Sequence, residues 1–148
     1  MTIAAAAFIV SIFALIASIV SISITIWWNK MKVTFEVCDT FYCQLINLKV
    51  DEALKPIDPS PIVAPAEYFR EHTADVYQIL NLYEMVAQKV LKRYISEKIF
   101  KNFYYTIFTD AYRHLYPLLE AFKTSNPDRM SCYKSFESLH GRWTNNSK

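Results

Sequence analysis

The sequence predicts an all-α protein: a single N-terminal transmembrane helix followed by a small cytosolic helical bundle. Three observations predict it. Ile3 to Trp28 runs 26 residues without a charge, a Gly or a Pro. Most of the remaining chain carries apolar residues three and four apart, the spacing of one helix face. The chain holds one glycine, Gly141, which leaves little material for tight β-hairpins or Gly-rich phosphate loops.

The first element is the anchor, residues 1–29. At about 1.5 Å rise per residue its apolar run spans roughly 39 Å, against about 30 Å for a bilayer's hydrocarbon core. A cleaved signal peptide has a basic start and a shorter apolar run. Here no Lys or Arg precedes the run, and Trp27-Trp28 at its end suits an interfacial aromatic belt. A retained anchor is therefore expected. Lys30, Lys32, Lys49 and Lys55 follow it, so the positive-inside rule places the N-terminus outside and the C-terminal domain in the cytoplasm. Within the anchor, Ala4, Ala7, Ser11, Ala14, Ser18, Ser21 and Thr25 recur at alternating spacings of 3 and 4. Small residues on one stripe let helix backbones approach closely in lipid, and a 3.5-residue period suits a left-handed crossing. The stripe is thus a candidate helix–helix contact. Its plain alternative is a face turned to lipid.

Residues 30–54 form a juxtamembrane segment. Trp28, Met31, Phe35, Cys38, Tyr42 and Leu45 fit one helix face, whereas alternation in Val33, Phe35 and Val37 fits a strand of a hairpin. The lack of a Gly turn favours the helix, which would continue the anchor. Pro56, Pro59, Pro61 and Pro65 then mark residues 55–65 as a linker, because repeated Pro forbids helix.

Residues 66–148 are expected to form the helical domain. The stretch from Ala66 to Tyr94 reads as helix, with a possible break near Thr73. It places Val76, Ile79, Leu80, Tyr83, Val86, Ala87, Val90 and Leu91 on one face. Ser96 can cap the next helix, with Ile99, Phe103, Ile107, Phe108, Ala111 and Leu115 inward, and Pro117 should kink or end it near Tyr116. Asn126-Pro127 is a cap followed by Pro at a first helical position. The last helix should reach about Trp143 and bury Met130, Tyr133, Phe136, Leu139 and Trp143. Ten Tyr, ten Phe and three Trp supply large side chains for such a core.

Several polar groups are candidates for chemistry. A net charge of +2 is too small to point to nucleic acid. Cys38, Cys43 and Cys132 contain no CxxC and read as free thiols. Glu137 and His140 have Glu-x-x-His spacing, but a di-metal bundle needs a second such pair and two further Glu, which the sequence lacks. No metal and no cofactor are expected, and neither His72 nor His114 belongs to a catalytic pattern. Lys89, Lys92, Arg93, Lys98 and Lys101 cluster around one turn, offset only by Glu97. They form either a solvated face or a contact with anionic headgroups. Glu84 and Arg142 would form a structural ion pair if their helices pack antiparallel.

Three stretches carry a resemblance: Val76-Tyr-Gln-Ile-Leu-Asn-Leu-Tyr-Glu-Met-Val-Ala87, Tyr112 to Leu119 with Pro117, and Tyr133-Lys-Ser-Phe-Glu-Ser-Leu-His-Gly-Arg-Trp143. They resemble the family called domain of unknown function 4760, small bacterial and phage-borne proteins with a membrane helix and a helical domain. The resemblance covers roughly residues 30–143. It implies the fold, an N-terminal membrane helix and a bacterial inner-membrane location, and supplies no activity. The expected function is that of a non-enzymatic single-pass membrane protein acting through protein contacts. Its partners would be the lipid bilayer and either a second copy or another membrane protein, with no nucleic acid and no small-molecule substrate. The alternative is a membrane-acting effector in phage defence or superinfection exclusion, suggested by the phage-borne relatives.

Overall fold

A computed structural model describes residues 3–50, 73–125 and 131–145. Among them are four helices and no strand: α1 (Ile3–Asn47), α2 (Thr73–Leu91), α3 (Glu97–Ser125) and α4 (Lys134–Asn145). The Pro-rich linker 55–65, the segment 66–72 and Asn126-Pro127 lie outside the described residues.

The anchor and the juxtamembrane segment are one helix. α1 runs 45 residues, about 67 Å, because nothing in it breaks the ladder. It is long and apolar enough to cross a membrane. The hairpin alternative for residues 33–37 is thereby excluded. α1 ends where Lys49 enters the left-handed region (φ 47°), with Leu48 N–H donating to Gln44 O and Lys49 N–H to Ile46 O.

α1 has two halves. Ala7 to Asn29 is exposed throughout. Beyond Lys30 it enters the bundle and buries Thr34, Cys38 and Phe41, with Leu45 and Leu48 partly covered. The buried register is 34, 38, 41, 45, 48. The expected face was right at Cys38 and Leu45 and wrong at Phe35 and Tyr42, which are 50% and 54% exposed. Both candidate faces carry apolar residues, and only the one with Phe41 meets partner rings.

Those rings build the core. Phe41 touches Tyr83 at 5.5 Å, Phe100 at 5.5 Å and Tyr104 at 5.1 Å between centroids, all edge-on. Phe136 of α4 stacks on Tyr83 at 5.0 Å, and Trp143 meets Phe108 at 5.0 Å. Each such ring pair is worth about 0.5–1.5 kcal/mol beyond its area. α2 buries the expected Val76, Ile79, Leu80, Tyr83, Val86, Ala87 and Val90, while Leu91 is only partly covered and Leu82, off the expected face, is buried as well. α4 buries Phe136, Leu139 and Trp143, with Tyr133 just ahead of it, as expected; Met130 lies outside the described residues.

α3 differs in two ways. It runs unbroken through Pro117, held by the fully buried Leu115, Leu118 and Leu119 on either side, while Pro117 itself faces outward. Its first turns bury Phe100 and Tyr104, so that Phe103 and Ile107 are exposed rather than inward.

The contacts fix helix direction. Thr34 lies beside Ser96, and Phe41 beside Tyr83, Phe100 and Tyr104. Tyr77 lies beside Phe122, and Trp143 beside Phe100. α1 and α3 therefore run one way, and α2 and α4 the other. The apolar half of α1 leaves from the end where α2 finishes, α3 begins and α4 finishes. This is termed the near end below.

Candidate functional site

Three structural features hold the near end together. The first is the end of α2. Arg93 N–H donates to Val90 O and Tyr94 N–H to Lys89 O, both at 3.0 Å. This is the paired-bond pattern that closes a helix with a left-handed residue, a position usually given to Gly. Here Arg93 occupies it at φ 62°. The second feature ties the turn to α1. Ser96 N–H donates to Thr34 Oγ1 at 2.9 Å, while Thr34 Oγ1 donates to Lys30 O at 2.6 Å. Thr34 is fully buried, so the two bonds satisfy a hydroxyl that would otherwise be costly. Ser96 stands at the cap position, its carbonyl accepting from Phe100 N–H.

The third feature is Glu97. Its carboxylate accepts from Arg142 Nη1 at 3.0 Å and from Trp143 Nε1 at 2.9 Å, closing the end of α4 onto the start of α3. Lys101 Nζ lies over the Tyr105 and Trp143 rings, 5.2 and 5.8 Å from their centroids. Such cation–π contacts are worth about 0.5–2 kcal/mol. The expected five-residue basic cluster therefore divides. Lys101 is held on rings, Lys89 is half-buried, and Lys92, Arg93 and Lys98 are exposed.

The expected Glu84–Arg142 pair does not form. Glu84 lies at the start of α4, where its carboxylate accepts from Phe136 N–H at 2.8 Å, Ser135 N–H at 3.3 Å and Gln88 Nε2 at 3.0 Å. Arg142 lies at the other end of α4, on Glu97. The pair required antiparallel helices, and α2 and α4 run parallel. Glu84 instead caps α4 from a neighbouring helix, placing a negative charge where the helix presents free N–H groups.

The Glu-x-x-His pair is absorbed by packing. Glu137 binds Lys123, which also reaches Glu120 at 3.4 Å. Burial works against the Lys123 ammonium, yet the two carboxylates outweigh it and hold its pKa above the ordinary range. His140 stacks on Tyr112 at 3.8 Å between centroids, and burial followed by the Arg113 charge lowers its pKa. Among the described residues no three His, Cys, Asp or Glu gather as a metal site would need.

The small-residue stripe lies on the exposed half of α1, and Ala7, Ser11, Ala14, Ser18, Ser21 and Thr25 are all exposed. Ala4 falls on α1 but outside the residues whose side chains are described. Ser11 Oγ donates to Ala7 O, Ser18 Oγ to Ala14 O and Thr25 Oγ1 to Ser21 O, each at 2.9 Å. These hydroxyl protons are satisfied within the helix, which is what a hydrocarbon environment demands. The stripe offers close backbone approach and outward lone pairs at Ser11, Ser18 and Thr25.

Sequence reading missed Thr34 and the role of Glu97. A Thr four residues before Cys38, on the register that includes Phe41, was the available signal for Thr34. In the sequence Glu97 reads only as an offset within the basic cluster. No curated protein and no solved structure matches the chain. One family model, described as a domain of unknown function, matches residues 1–143.

Proposed function

The chain belongs to the family described as domain of unknown function (DUF4760), and we propose on that footing that it is a single-pass membrane protein acting through protein contacts. It works without catalysis or cofactor, and it assembles through α1 with a second copy or another membrane protein. The N-terminus lies outside and the bundle lies in the cytoplasm, as the lysines after Trp28 favour.

The observation that carries this reading is the division of α1. One unbroken helix has an apolar first half, exposed from Ala7 to Asn29, and a second half built into the aromatic core by Thr34, Cys38 and Phe41. An anchor continuous with its domain transmits any rotation or pairing of the membrane helix directly to the bundle. No flexible joint lies between them. The exposed Ala/Ser/Thr face, with the Ser11, Ser18 and Thr25 hydroxyl protons bonded within the helix, supports the pairing.

Combined Ser11→Leu and Ser18→Leu tests it. The variant should be monomeric in mild detergent, where the wild type is oligomeric or bound to a membrane partner, and its bundle should melt at the wild-type temperature. A wild-type protein that is monomeric in mild detergent and retrieves no partner from native membranes would overturn the reading.

A further inference from the structure

We infer that the near end of the bundle is a binding surface for anionic phospholipid headgroups, holding the bundle against the bilayer it is anchored in. This rests on the reading of α1 as a membrane-spanning helix.

Position is the first argument. Thr34, which anchors the α2–α3 turn through Ser96 N–H, lies six residues past Trp28, roughly 9 Å along the helix. The turn is therefore fixed beside the point where α1 leaves its apolar half. Lys30 and Lys32 lie on the intervening stretch of α1.

Charge is the second. Lys92, Arg93 and Lys98 are exposed, and none meets a carboxylate among the described residues. Glu97, the acid closest to them in sequence, is occupied by Arg142 and Trp143. Glu36 engages only Lys32, loosely, at 3.9 Å. The near end thus presents cations that the fold leaves uncompensated.

Backbone conformation sets where the third cation of the turn stands. Arg93 holds φ 62° at a helix-closing position where Gly is free of the Cβ clash. Lys49 and Tyr133 hold the same left-handed conformation (φ 47° and 65°), so the conformation fixes where the Arg93 side chain stands without by itself assigning it a role. Beside it, Tyr94 is 65% exposed, an amphipathic ring at the level where such rings favour a headgroup layer. A phospholipid surface matches the set: phosphates for the cations, interfacial depth for the tyrosine, and proximity enforced by α1 itself. Free phosphate has no use for the ring or for the link to α1.

The test uses the full chain in mixed micelles containing equal phosphatidylglycerol and phosphatidylcholine, with lipid retention read by native mass spectrometry. The wild type should retain phosphatidylglycerol preferentially, and excess inorganic phosphate should not displace it. Lys92→Gln, Lys98→Gln and Arg93→Gly should each lower the preference, by about fivefold per charge. Arg93→Gly separates binding from folding, because relief of the left-handed strain should leave the melting temperature at or above wild type. An undiminished preference in the triple variant, or displacement by inorganic phosphate, would overturn the inference. A wild type that retains both lipids equally would overturn it too, while leaving the membrane reading intact. A chain that retains neither lipid and needs no detergent would overturn the membrane reading itself.

Discussion

Phe41→Ala should loosen α1 from the bundle, and the protein carries its own reporter. Phe41 is 1% exposed and contacts three rings on two other helices. Truncating a buried Phe costs about 3–5 kcal/mol, and here it also removes the largest α1 side chain in the core. Cys38 lies one turn earlier on the same face and is buried, whereas Cys43 is exposed. A thiol reagent should label Cys43 quickly in the wild type and Cys38 only through opening of the interface. A loss of 3–5 kcal/mol raises the open fraction by roughly two to three and a half powers of ten, since about 1.4 kcal/mol is tenfold. Cys38 labelling, followed by peptide mass spectrometry in detergent, should accelerate by that order, while Cys43 stays unchanged. A wild-type Cys38 that reacts as fast as Cys43, or a variant with unaltered Cys38 kinetics, would refute the continuity of anchor and core.

Two further outcomes follow from particular contacts. Glu84→Ala removes the acceptor for two α4 N–H groups and should cost about 1–2 kcal/mol, whereas Glu84→Gln keeps an oxygen there and should cost less than half of that. Thermal unfolding by circular dichroism separates the two, and equal losses would remove the capping role. Stability should fall as pH drops below about 6.5, the ordinary imidazole value, because folding holds His140 neutral on Tyr112 and the unfolded chain gains the proton first. A urea titration at neutral and mildly acidic pH should show this slope in the wild type and a smaller one in His140→Phe, which keeps the ring.

Much of this was legible in sequence, for reasons that differ by element. The apolar run before Trp28 and the faces of α2 and α4 show in local periodicity alone, because most large apolar residues of α2 and α4 lie on one face, Leu82 and Met85 of α2 apart. α1 beyond Lys30 and the start of α3 carry apolar residues on two faces. Phe35, Tyr42, Phe103 and Ile107 were therefore indistinguishable from Cys38, Phe41, Phe100 and Tyr104 until the partner rings were known. Pro117 reads as a breaker locally, but Leu115, Leu118 and Leu119 hold the helix from the core side. The Glu84–Arg142 pairing failed because it depended on the relative direction of α2 and α4, which no local pattern encodes. The Thr34–Ser96 bond joins residues 62 apart in sequence and had no local signal beyond a Thr on the buried register. The basic turn was visible as composition. Its division into held and exposed cations, and its place beside the exit of α1, came only with the fold.

The most direct measurement is disulfide crosslinking in native membranes, using a Cys43→Ser, Cys132→Ser background. Ser11→Cys and Ser18→Cys lie on the small-residue face, and Ile9→Cys and Ile16→Cys on the opposite side of the same helix. The account predicts efficient dimer formation at Ser11 and Ser18 and little at Ile9 and Ile16 if the partner is a second copy. Equal crosslinking from both faces, or stronger crosslinking from Ile9 and Ile16, would contradict self-association through this face.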